Sequence, residues 1–139
     1  ARYTEALLNF AEAANEAVGP TGLISGFSAQ AVINAIRTRA GITSTAYING
    51  LDQVGLREAI KNERRIELCF EGHRFWDIRR WNDKTTMKSA VKGIKFSADN
   101  TTATVSDVQL RDYKDYQIYG PIPYNETLKY DIKQNDSWQ

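Results

Sequence analysis

The sequence is poor in the residues that cross-linking and metal chemistry depend on. Its 139 residues include one cysteine, Cys69, so no intramolecular disulfide forms and no cysteine-rich zinc site is possible. A chain of this length buries about 68% of its unfolded surface and forms a core without such staples. The one histidine, His73, leaves a His-based metal cluster or a Ser-His-Asp relay with a single imidazole. No run of about 20 apolar residues is present, so no segment reads as membrane-spanning. Charge of one sign is also lacking, with 18 Lys and Arg against 17 Asp and Glu. Without a basic block there is no electrostatic footprint for nucleic acid. The glycines form neither a dinucleotide fingerprint nor a Walker sequence. No cofactor is expected.

Aromatics are well represented at 11%, including Trp76, Trp81 and Trp138, as a packed core requires. The chain lacks the n-region and apolar h-region of a signal peptide and opens inside a helical pattern with no cap before it. It reads as one domain over residues 1–139, a fragment of a longer chain. Tyr3, Leu7, Phe10, Ala14 and Ala17 recur at steps of three and four, which predicts a helix over 2–18 with those residues on one face. Gly19-Pro20 ends it. Ser28 is the N-cap of a second helix with Val32, Ile33 and Ile36 on one side and Gly41 past its basic last turn. These two should form an antiparallel pair.

A third helix is expected from Leu56 to Phe70 or Glu71, interrupted by Gly72. At about 100° per residue, Leu56, Ala59, Ile60, Ile66 and Phe70 share one arc of roughly 120°, with Glu63 and Glu67 near its middle. Two carboxylates thus sit on a face expected to be buried. Residues 74–81, rich in arginine and aromatics, read as a short amphipathic turn or helix. Residues 82–115 read as loop, with a short strand or helix around 105–113. Gly120-Pro121-Ile122-Pro123 stops regular structure and starts an extended tail, with one helical turn around 126–128.

Carboxylates one turn apart suggest general acid and base chemistry, and with it a glycosidase. An i, i+4 pair, however, projects side by side from one helix, whereas glycosidase carboxyls face each other across a sugar. The favoured reading is a structural ion-pair network in which Glu63 and Glu67 accept charge-assisted hydrogen bonds from Arg74, Arg79, Arg37 or Arg39. Trp76 and Trp81, flanked by arginines, favour core packing or cation–π contact over ligand binding. Trp138 is the freest of the three, either the one candidate for a ligand contact or a pin for the tail. Cys69 reads as an inert thiol and His73 as a capping or surface residue.

The stretch 60–81, Ile-Lys-Asn-Glu-Arg-Arg-Ile-Glu-Leu-Cys-Phe-Glu-Gly-His-Arg-Phe-Trp-Asp-Ile-Arg-Arg-Trp, resembles the signature of the RagB/SusD family. There a glutamate-arginine helix leads through Glu-Gly-His-Arg into Asp-Leu-Arg-Arg. Arg2-Tyr3 with Glu5-Ala6-Leu7-Leu8, Ala11-Glu12-Ala13-Ala14-Asn15, residues 34–41, Pro121-Ile122-Pro123 with Glu126, and Gln134-Asn135 match in the family's order. Lys129-Tyr130 and Asp136-Ser137 stand where the family has Asn-Pro and Pro-Gly. The resemblance implies the C-terminal part of a mostly α protein built on tetratricopeptide-like antiparallel helix pairs with long irregular loops. It implies a lipid anchor upstream, the extracellular face of an outer membrane, a SusC-like TonB-dependent transporter as partner, and an oligosaccharide or other nutrient passed on without catalysis. The family's glycan site lies largely on upstream loops, so the motif here is expected to serve the fold. A helical protein-interaction scaffold is the main alternative, and a glycoside hydrolase the least favoured.

Overall fold

The computed structural model describes residues 2–138. Its order is α1 (Tyr3–Val18), β1 (Leu23–Ile24), β2 (Phe27–Ser28), α2 (Ala29–Arg39), α3 (Ala46–Asn49), α4 (Gln53–Glu67), α5 (His73–Arg80), α6 (Lys84–Lys88), β3 (Val91–Phe96), β4 (Ala103–Gln109), a 3-10 turn (Asp115–Ile118) and α7 (Tyr124–Tyr130). The chain is mostly α, as expected. None of these helices is long and apolar enough to cross a membrane. Two compact units are distinguished, one ending at Arg74 and one starting at Phe75.

In the first unit the helix boundaries follow from capping chemistry. Gly19, at φ 78°, closes α1 by donating its N–H to the Asn15 carbonyl. Ser25 and Gly26, both at positive φ, form the two-residue turn of the β1–β2 hairpin, the turn geometry that matches strand twist. Ser28 Oγ accepts from the Ala31 N–H at 3.2 Å and starts α2. Asp52 does the same for α4, accepting from Gly55 at 2.7 Å. The expected start at Leu56 was therefore one turn late.

Leu8, Ala11, Ala14, Val32, Ile33, Ile36, Ile48, Leu56 and Ile60 form the core. Arg39 of α2 reaches Thr4 at the start of α1. Asn15, near the end of α1, exchanges hydrogen bonds with Gln53 at the start of α4. Both α2 and α4 thus run antiparallel to α1. These two pairings share α1 and do not make a repeat.

On two helices the buried face differs from the apolar face read from the spacing. On α1 the buried line is Thr4, Leu8, Ala11 and Asn15 with Ala14, while Tyr3 is 80% exposed and Leu7 and Phe10 only flank the core. The alanines decide this, since they let a neighbouring helix approach closely where aromatics would hold it off. On α4 the stripe is Leu56, Ala59, Ile60, Glu63 and Arg64, and Ile66 is 58% exposed. Ile66 lies about 90° from the centre of that stripe. Phe70 is fully exposed because the helix ends at Glu67 and Phe70 adopts φ 63°, after which helical spacing no longer places side chains.

In the second unit, residues expected as loop form α6 and β3, and β4 overlaps the short strand or helix expected around 105–113. Asp83 caps α6 through Thr86, whose N–H and hydroxyl donate to the carboxylate at 3.0 and 2.6 Å. Strands β3 and β4 are antiparallel, with Lys92 opposite Asp107, Ile94 opposite Val105 and Phe96 opposite Ala103. Asp99 organises the connecting loop by accepting from the Ser97 hydroxyl and from the Thr101 N–H and hydroxyl. These bonds hold its carboxyl well below the usual range, at about 2.

The tail folds back on itself. Gln134 donates to the Ile122 carbonyl at 2.9 Å and accepts from the Ile122 N–H at 2.8 Å. Asn135 Nδ2 donates to the Gly120 carbonyl at 2.7 Å. Between these points the chain makes the two turns of α7 rather than a single one.

Candidate functional site

Two places hold chemistry worth weighing, one in each unit. The first is the carboxylate row of α4. Glu63 is buried and its Oε1 accepts from Arg37 Nη1 at 2.5 Å, the two side chains being 8% and 17% exposed. Glu67 accepts from Arg39, and Arg2 lies 3.7 Å from it. Arg2 also pairs with Glu71 at 2.8 Å and donates to the Glu67 carbonyl. Of the arginines the sequence offered, Arg37 and Arg39 thus pair with these carboxylates, and Arg2 adds to them. Arg74 is half-buried at the start of α5. Arg79 has its guanidinium carbon 3.6 Å from the Phe75 ring centroid and donates to the Phe75 carbonyl at 3.4 Å.

Sequence reasoning missed Arg64, which is 4% exposed, donates to Asn9 Oδ1 at 2.6 Å and approaches Glu12 at 4.0 Å. Arg64 lies one turn beyond Ile60, about 40° outside the arc read from the sequence, which is why the periodicity did not mark it. At the other end of the helix, Arg57 makes a two-pronged contact with Glu16 at 2.6 Å for each bond. Its hydrogen bond, together with its charge, holds the Glu16 carboxyl below the usual range. Oxygens this fully engaged by guanidinium groups are poor proton shuttles. Among the described residues no group of three His, Cys, Asp or Glu side chains is placed to hold a metal. Cys69 is exposed, and His73 Nδ1 lies 3.9 Å from Glu5.

The second place is a groove of about 650 Å³ in the second unit, between α5 and the tail. Phe75, Trp76, Arg79, Tyr113, Tyr119 and Trp138 contribute to its lining. Phe75 and Trp76 meet edge to face, with ring centroids 5.0 Å apart. Trp76 is 68% exposed, so of the two expectations for it, core packing or cation–π contact, core packing is corrected. Trp81 does make the expected cation–π contact, with Arg80 4.8 Å from its centroid. Trp138 donates its indole N–H to the Tyr119 carbonyl at 2.8 Å and stands edge-on to Tyr116 at 5.1 Å. It pins the tail and also borders the groove. The Tyr113 hydroxyl is buried without a hydrogen-bond partner.

Comparison with known proteins gives this architecture a context. Over 126 residues the chain is 43% identical to SusD-like protein P25 of Formosa agariphila, covering 90% of this chain and 21% of that protein. It is 43% identical to SusD-like protein P2 of the same organism over 86 residues, which is 57% of this chain and 16% of the relative. To SusD-like protein P38, also from that organism, it is 32% identical over 99 residues, or 67% and 18%. The chain therefore spans about a fifth of the length of these curated relatives. No solved structure matches it significantly. The SusD family model matches residues 1–138, and with the 43% identity to P25 this places the chain in the SusD family.

Proposed function

We propose that the chain is the C-terminal portion of a non-catalytic, glycan-binding nutrient-uptake protein held by a lipid at the extracellular face of the outer membrane. In this reading it works with a SusC-like TonB-dependent transporter. The observation that carries the proposal is the family match over residues 1–138. The α4 geometry supports the absence of catalysis, since Glu63 and Glu67 each face an arginine and not each other across a cleft. Their role, with Arg37, Arg39, Arg2 and Arg64, is to satisfy charge inside the helical unit and fix how α1, α2 and α4 meet.

The test uses the full-length protein expressed beside its transporter in a Gram-negative host. The two should co-purify, protease added to intact cells should remove the protein, and oligosaccharide should bind without being cleaved. Co-purification with no sugar affinity would make it a protein-interaction scaffold. Product release from an oligosaccharide would make it a hydrolase. Either result overturns the proposal.

A further inference from the structure

Arg79 stands apart from its neighbour Arg80. Arg80 is paired with Asp77 at 3.1 Å. Arg79 is half-buried, and its contacts among the described residues are the Phe75 ring and the Phe75 carbonyl, with no carboxylate within ion-pair distance. A guanidinium partly withdrawn from water retains donors and a charge that an anion would satisfy. Around it stand exposed Trp76, Trp138 and the buried, unpartnered Tyr113 hydroxyl. Aromatic faces accept the C–H side of a pyranose, hydroxyls pair with hydroxyls, and the guanidinium fork matches a planar carboxylate.

We propose that this groove is a subsite for an acidic sugar, its anionic group on Arg79 and its ring against the tryptophans. The proposal rests on the glycan-binding reading above and adds the ligand's charge. No acidic side chain lines the groove. The adjoining cleft carries Asp115 and Asp136. Asp115 is held below the usual carboxyl range by its hydrogen bonds to Lys88 and then Lys84, so those lysines offset its charge. Asp136 is the remaining negative neighbour, and its removal should strengthen binding of an anion.

The test is titration of the 139-residue chain, followed by tryptophan fluorescence, with tetragalacturonate, a sulfated carrageenan tetrasaccharide and neutral cellotetraose. Saturable binding of either anionic probe supports the proposal, and their order of affinity tells carboxylate from sulfate ester. Arg79→Gln should weaken anion binding about tenfold or more and Arg79→Lys less, as expected where a charge-assisted hydrogen bond is lost or partly kept. Tyr113→Phe, which removes only an oxygen, should weaken binding severalfold, and Asp136→Asn should tighten it. These two variants decide the matter if Arg79→Gln alters the circular dichroism. Failure of both anionic probes to bind, or affinities indifferent to all four substitutions, overturns the subsite. In the same titration, full-length protein that binds cellotetraose but neither anionic probe would refute the subsite and leave the glycan-binding reading standing. Full-length protein that binds no glycan would refute both.

Discussion

Glu63 and Glu67 lie one turn apart on α4, yet their partners differ in access to water. Arg37 is 17% exposed and Arg39 is 58% exposed. Removing Glu63 strands a largely buried guanidinium, so Glu63→Ala should cost about 3–5 kcal/mol. Removing Glu67 leaves arginines that water can reach, and Glu67→Ala should cost about 1 kcal/mol. Urea denaturation of both variants checks the order, and equal losses would contradict it. Asp99 offers a pH test at the same scale. Its carboxyl titrates at about 2 in the fold against an ordinary 3.8. A depressed folded value means that its contribution to loop order is complete above the unfolded value and is lost as pH falls through the folded one. Between pH 3.8 and about 2 the Ser97 and Thr101 contacts should release. A carboxyl carbon shift followed by NMR should show that low midpoint, and Thr101→Ala should raise it.

At the scale of elements, local chemistry wrote the helix ends more firmly than their faces. Ser28 caps α2 and Gly19 closes α1, both legible in the sequence, whereas α4 ends at Glu67, a turn before the Gly72 break expected for it. Ser28→Ala should destabilise α2 by about 1 kcal/mol in a thermal melt. Gly72, at φ 79°, has open space where a Cβ would stand, so Gly72→Ala tests backbone strain alone and should cost about 1 kcal/mol. The β3–β4 hairpin was not legible as a hairpin. Its strands alternate only in short runs, Ile94-Lys95-Phe96 and Ala103-Thr104-Val105-Ser106, broken at Gly93 and at Ser106-Asp107, and both faces are largely exposed. Cross-strand pairs such as Ile94 with Val105 become visible only once the register is known.

For the whole molecule, the core cluster lies entirely within residues 8–68. Residues 1–74 expressed alone should therefore melt cooperatively with a helical signature, and a featureless melt would show that the unit needs more of the chain. By itself the sequence determined the family, the mostly helical class, the capped ends of α1 and α2 and the burial of acid on α4, because these depend on residue type and on spacing within a few turns. Only the tertiary structure decided which arginines meet Glu63 and Glu67, that Arg64 is buried with them, which side of α1 faces inward, and that Trp138 returns to Tyr119 beside Arg79. Those contacts join residues 19 to 65 positions apart in the chain, and a side chain's partner at that distance is fixed by how helices pack and tails return, which periodicity does not encode.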